Sequence, residues 1–335
     1  MAPTQILSLA EIEDLSLRAL LAAGTAEENA LPLARATAQT EAEGVSSHGL
    51  AYIPIYCAHV ACGKVDGAAH PKLTHPNPSL LRCDAATGFA HSAIDLGFEH
   101  LIPLARSQGL AGLAIHNSYN CGVLGVHTGR LAREGLLALG FTNAPASIAP
   151  SGGARPVVGT NPISVAAPGA DGTPAILIDQ SASTIAKSEV MAHAREGKAI
   201  PLGWALDATG TPTTDAQAGL AGSMAPSGGY KGVGLALVVE MMAAALSGAS
   251  LGLDASPFSG TAGGPPKTGQ FFIAIDPGPT SAGQFQGLVA RLVDEIRAQE
   301  GARVPGDGRA KHLAQAQTQG VAVSTATLEK INALL

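Results

Sequence analysis

The chain has 335 residues, enough to bury a sizeable core and to form two or three structural units. Hydrophobic residues make up 46% and charged residues only 14%, with 41 glycines, which excludes an intrinsically disordered chain. A net charge of −6 without a basic patch argues against a nucleic-acid or acidic-membrane surface. The longest apolar run, Val233 to Leu246, is interrupted by Gly234 and Glu240 and is too short to span a bilayer. The N-terminal stretch MAPTQILSLAEIEDL lacks a basic segment followed by an apolar one, so no secretory signal is expected. Cys57, Cys62, Cys83 and Cys121 have neither CxxC spacing nor a disulfide pattern, and with the histidines they form no metal signature. A cytoplasmic location is the expectation.

In chain order, Ser8-Leu-Ala-Glu11 and Thr25-Ala-Glu-Glu28 both fit the capping box that opens a helix. The second helix should run to about Glu43, with Gly44 closing it. LLRCDA from Leu80 predicts a strand, HSAIDLGFEHLIPLARSQG a helix ending at Gly109, and LAGLAIHN a strand. Residues 122–135 predict a helix, and LLALGFTNA, PISVAAP, PAILIDQS and GQFFIAID further strands. KGVGLALVVEMMAAALSG is apolar on most faces and predicts a buried helix, whereas GLVARLVDEIRAQEG predicts an amphipathic helix stopping at Gly301. The alternation indicates an α/β fold.

Three features carry candidate chemistry. His48, in GVSSHGLAYIPIY, lies just past a helix end; it is a proton donor or a polar residue at a turn, and the stretch alone leaves both open. Gly122-Val-Leu-Gly125 and Gly228-Gly-Tyr-Lys-Gly232 each precede a helix, where bare N–H groups can hold a phosphate; taken alone, each reads first as an ordinary tight turn. His116 ends an apolar strand near Asn120 and either lines a cleft or sits at the core's edge. The dinucleotide fingerprint GxGxxG between a first strand and helix is missing.

The linked motifs SSHGLAYIPIY with CGKVDG, NSYNCGVLG, GTNPISVAAP, DQSAS with IAKSEV, PLGWALDATGTPTTD, GGYKGVGLAL and VPGDGR occur in this order over nearly the whole chain. The chain thereby resembles the malate/L-lactate dehydrogenase family of nicotinamide-dependent oxidoreductases, and within it most the ketimine reductases. That resemblance implies a non-Rossmann nicotinamide-binding domain with a mixed sheet, flanked by helical segments from both termini. Its expected parts are 1–75, a helical substrate-side segment carrying SHG; 76–285, the NAD(P)-binding α/β domain; and 286–335, a helical segment packing back on the first. It implies a homodimer and reduction of Δ1-pyrroline-2-carboxylate to L-proline and of Δ1-piperideine-2-carboxylate to L-pipecolate. His48 would supply the proton, with Ser47 and Glu189 orienting it. Glu189 is equally readable as an exposed acid at a helix start.

Two departures from the family pattern stand out. Tyr52 occupies a position where the family usually has an Arg gripping the substrate carboxylate, which makes Lys187 the expected cation. Asn120 replaces a second His of the hydroxyacid enzymes and cannot exchange a proton near neutrality. Thr160 and Ser188 complete the expected substrate side. For the cofactor, the resemblance points to Cys121, Gly122, Val123, Leu124 and Gly125, then Asp179, Gln180 and Ser181, and Lys231 and Gly232. It adds the late loop Pro305, Gly306, Asp307, Gly308, Arg309, Ala310 and Lys311. Arg309 and Lys311 facing a 2′-phosphate would favour NADPH over NADH; they are also readable as surface charges. The rivals are a 2-hydroxyacid dehydrogenase of malate, lactate or diketo-acid type, and a silent paralogue that retains cofactor binding.

Overall fold

The computed structural model describes residues 3–335. Strand β1 (Thr4–Leu7) leads into α1 (Leu9–Ala22), where Ser8 and Glu11 form the expected capping box. The second box does not form. Helix α2 (Glu27–Ala42) is capped by Ala26, whose N–H donates to Gly67, and the Thr25 hydroxyl is buried without a partner. Tertiary pairing with Gly67 has fixed this entry, overriding the local signal. Along α2, Ala30, Leu33, Ala34, Thr37, Ala38 and Glu41 recur at helical spacing and form its buried face. Two 3₁₀ turns, Ser46–His48 and Leu50–Tyr52, then lead into α3 (Ile53–Ala61).

Strands β2 (Lys72–Asn77) and β3 (Leu80–Asp84), helix α4 (Ala90–Gln108) and strand β4 (Leu110–Ser118) open the α/β part. Helix α5 (Leu124–Arg133) and strands β5 (Leu137–Thr142), β6 (Ile163–Pro168) and β7 (Pro174–Gln180) follow. A small lobe comes next: α6 (Lys187–Glu196), β8 (Ala205–Leu206), β9 (Pro212–Thr213), α7 (Ala216–Ala221) and β10 (Ser223–Met224). It closes on its own core of Ile148, Val158, Val190, Ile200 and Met224. Helix α8 (Tyr230–Val239) continues as a π-helix, Glu240–Ala245, and β11 (Thr268–Ile275) returns to the sheet.

The seven-stranded sheet has the order β2-β3-β4-β11-β5-β6-β7, and only β3 and β4 run parallel. A doubly wound dinucleotide fold needs successive parallel strands, so the missing glycine fingerprint and the topology agree. One face packs Leu81, Leu113, Ile115 and Phe272 against α4 and α5; the other packs Ala114, Phe141 and Phe271 against Val239 and Ala243. Because both faces are covered there, β4 reads as a nearly continuous apolar run.

The helix expected to be buried is buried on one side only. Val233, Ala236, Val239 and Ala243 face the sheet, while Leu237, Val238, Met241 and Leu246 are 46, 43, 58 and 60% exposed. The sheet covers one stripe of a helix, and nothing among the described residues covers the other.

Helices α9 (Pro277–Ser281), α10 (Phe285–Arg297) and α11 (Asp307–Gln319), strand β12 (Val321–Ser324) and helix α12 (Thr325–Asn332) complete the chain. α10 rests on β7, α11 on α2, and α12 on α1 and α3, while β12 pairs antiparallel with β1. Among the described residues no helix is long and apolar enough to cross a membrane.

Candidate active site

The SHG turn is built on α2. Gly44, with φ +76°, ends the helix, and the buried Glu41 carboxylate accepts the Leu50 N–H at 2.7 Å. A Cβ at Gly49 would lie 2.2 Å from Glu41 Oε1, so the turn can settle onto α2 only with glycine there. Burial holds the Glu41 carboxyl above its ordinary range. His48 caps no helix. Its Nδ1 lies 3.0 Å from Ser47 Oγ, and its ring stacks on Tyr52 with centroids 5.5 Å apart and planes 9° apart. Tyr56 tilts against Tyr52 at 5.3 Å, so an aromatic wall runs back from the imidazole.

The charged groups that act on His48 come from far along the chain. Burial lowers its pKa, Asp179 raises it and Arg309 lowers it. Asp179, at the end of β7, accepts the Gly125 N–H at 2.9 Å and Arg309 Nη2 at 2.9 Å through one oxygen. Arg309 Nη1 lies 3.5 Å from Glu43 Oε2, just past the end of α2. A Cβ at Gly125 would lie 2.6 Å from Arg309 Nη1 and 2.7 Å from Asp179 Oδ2, so glycine there admits the ion pair.

Several residues of the expected cofactor surface make contacts within the chain. The Gly122 N–H donates to Asn120 Oδ1 at 3.2 Å and the Gly125 N–H to Asp179, so neither is bare. Arg309 is held between two carboxylates, Asp179 and Glu43. Asp307 pairs with Arg297, and the Pro305 carbonyl accepts the Leu177 N–H. Gly306, with φ +102°, opens α11 against Leu177, while Gly308, Ala310 and Lys311 are exposed.

The other glycine cluster fits an anion. Gly228 and Gly229 have φ +66° and +65°, and the N–H groups of Gly228, Tyr230 and Lys231 meet no acceptor among the described residues. They open α8 on a cleft of about 440 Å³ lined by Gln180, Ser181, Ser183, Ser227, Lys231 and Gly232. Free amides at a helix start, a lysine and hydroxyls suit the phosphates of a dinucleotide. Asp179 precedes Gln180, which lines this cleft, and its charge acts on His48.

Glu189 is not brought to His48. It is exposed in the first turn of α6 and makes no hydrogen bond or ion pair with the imidazole. Val190 takes the buried side of α6, which turns its neighbour about 100° toward solvent. The carboxylate whose charge raises the His48 pKa is that of Asp179. Lys187 is exposed beside Ala186, which lines the cleft, and has no carboxylate partner among the described residues. Ser188 Oγ is buried without a partner. Thr160 is half-buried, and its carbonyl accepts the Ala182 N–H. Cys121, Val123 and Leu124 are buried, the first through a carbonyl that accepts from His127. His116, near the end of β4, is occupied by the Cys83 carbonyl and Arg82. Glu41, Glu43 and Tyr56 were missed. Glu41 carried a signal, being in phase with the apolar face of α2; Glu43 and Tyr56 carried none.

A malate/L-lactate dehydrogenase family model matches residues 7–332. A protein of Chromohalobacter salexigens named (2R)-3-sulfolactate dehydrogenase (NADP(+)) is 44% identical over 306 residues, covering 91% of each chain. A Δ1-pyrroline-2-carboxylate reductase of Ancylobacter novellus is 39% identical over 332 residues, covering 98% of this chain and 97% of that one. The crystal structure of Δ1-piperideine-2-carboxylate reductase from Pseudomonas syringae superposes with a TM-score of 0.93 at 36% identity, over 99% of this chain and 100% of that one.

Proposed function

Because the chain belongs to the malate/L-lactate dehydrogenase family and is thus a nicotinamide-dependent oxidoreductase, we propose that it reduces cyclic ketimine carboxylates. The substrates would be Δ1-pyrroline-2-carboxylate and Δ1-piperideine-2-carboxylate. The observation that carries this reading is the Ser47–His48–Tyr52 arrangement: one imidazole, fixed by a hydroxyl, against a flat aromatic wall. A nicotinamide held at the cleft would supply hydride to the imine carbon. His48 gives the ring nitrogen its proton, since an imidazolium carries a transferable proton where a carboxamide does not. Ser47 fixes the ring, and Asp179 offsets the burial that disfavours its charged form. Lys187 and the Asn120 amide are the groups left to hold one carboxylate. Among cofactors we favour NADPH, because Lys231 lines the cleft, Lys311 is exposed in the late loop and one relative is named for NADP(+).

A 2-hydroxyacid such as 3-sulfolactate is the second reading, favoured by the relative at 44% identity. It carries two anionic groups, yet Arg309 is already held by Asp179 and Glu43 and Tyr52 is neutral. A steady-state assay decides between them. It would follow NADPH and NADH oxidation with both cyclic imines, 3-sulfopyruvate, oxaloacetate and pyruvate. Turnover of the imines, faster with NADPH, is expected; turnover of the keto acids alone would overturn the reading. No turnover with cofactor bound would favour a silent paralogue.

We further propose a homodimer, supported by the exposed Leu237, Val238, Met241 and Leu246 face of α8 and its π extension. Analytical ultracentrifugation should give twice the 33.5 kDa chain mass, and a Leu237→Glu/Met241→Glu variant should give the single mass. A wild-type monomer at micromolar concentration would sink this proposal.

A further inference from the structure

Asn120 makes two hydrogen bonds, both through its carbonyl oxygen: it accepts the Gly122 N–H at 3.2 Å and the Tyr56 hydroxyl at 3.0 Å. A backbone N–H can only donate, so the atom facing Gly122 must be Oδ1 and the amide nitrogen must face the other way. That nitrogen has no partner among the described residues and is not sealed from solvent, and the residue is half-buried. Tyr56 is fully buried and its ring is gripped on three sides. It tilts on Tyr52 at 5.3 Å and meets Phe89 at 5.7 Å and Tyr119 at 6.0 Å edge to face. Its hydroxyl therefore cannot follow the carboxamide if Asn120 rotates. Tyr119 is itself held, since its hydroxyl meets His59 Nδ1 and the other imidazole nitrogen meets the Gly260 carbonyl at 2.9 Å.

We propose that Tyr56 is a positioning residue, whose hydroxyl, with the Gly122 amide, turns the Asn120 carboxamide so that its N–H₂ faces the carboxylate of the substrate. The proposal rests on the ketimine reading for its substrate. It gives Tyr52 a consequence as well: with no guanidinium at that position, a neutral donor held in one orientation takes part of the carboxylate's recognition. A free carboxamide would present oxygen, an acceptor that repels a carboxylate, in a fraction of molecules. The Gly122 N–H, which can only donate, selects against that fraction, and the Tyr56 hydroxyl adds a second donor to the same oxygen and holds the carboxamide in that plane.

The test is Tyr56→Phe, which keeps the ring, and with it the packing against Tyr52, Phe89 and Tyr119. KM for Δ1-pyrroline-2-carboxylate should rise about 3- to 10-fold, the effect of one lost hydrogen bond, with the loss falling on KM rather than kcat and NADPH affinity kept. In an Asn120→Ala background, Tyr56→Phe should add nothing, because the two act as a unit. A wild-type KM for Tyr56→Phe or for Asn120→Ala, or additive effects in the double variant, would overturn the proposal. If the wild-type enzyme reduces no cyclic imine, the functional reading fails separately. The positioning role is then decided by a high-resolution crystal structure of Tyr56→Phe. A rotated Asn120 carboxamide supports it, and an unmoved one rejects it.

Discussion

Replacing His48 by alanine should lower imine turnover by ~10²–10⁴-fold, the range for loss of a positioned proton donor, while NADPH binds within about twofold of wild type. His48 is half-buried on a 3₁₀ turn and contributes to no hydrophobic core. Its backbone position is set by Glu41 and Gly49 and not by its own side chain. The loss should therefore fall on the chemical step and not on folding, with a melting temperature near that of wild type. Single-turnover kinetics with cofactor prebound reads this directly. A rate within about tenfold of wild type would remove His48 from proton transfer and leave the imidazole as a packing partner of Tyr52.

Asp179→Asn should act on both stability and pH dependence. Asp179 neutralises Arg309 and accepts the Gly125 N–H in a setting where both side chains are mostly buried. Breaking a buried pair costs about 3–5 kcal/mol; Glu43 still faces Arg309, so about 2–3 kcal/mol is expected here. The sign for His48 follows from its neighbours. Burial and Arg309 lower its pKa and Asp179 raises it, so removing that carboxylate lowers the pKa further. The proposed reduction uses the protonated imidazole, so kcat/KM should fall as pH rises through that pKa. The falling limb should start at lower pH in the variant, and activity at pH 7 should drop. The substrate's own imine ionisation is common to both enzymes and cancels in the comparison. Coincident pH profiles would show that Asp179 does not act on His48.

Much of this molecule is legible in short windows of sequence. The Ser8–Glu11 cap, the Gly109 helix stop and the apolar runs of β4 and β11 are read from hydrogen-bonding groups and periodicity within one or two turns. The resemblance placed Ser47 beside His48, and adjacency in the chain makes that pair almost independent of the rest of the fold. The Thr25 box shows the limit even at short range, since a bond from Ala26 to Gly67 outweighed it. The two apolar sides of α8 look alike in sequence, and only the sheet's position distinguishes the buried one from the exposed one.

The sequence by itself thus determined the element types, the α/β layering, the absence of a doubly wound nucleotide fold and the SHG turn, because each depends on neighbours a few residues apart. Tertiary structure alone decided which carboxylate's charge acts on His48, that Arg309 pairs with Asp179 and Glu43, and that the Tyr56 hydroxyl meets the Asn120 amide. Arg309 lies 130 residues from Asp179, and Tyr56 lies 64 from Asn120. A charge or hydroxyl is satisfied by whatever the folded chain brings within about 3 Å, and no local pattern encodes that distance.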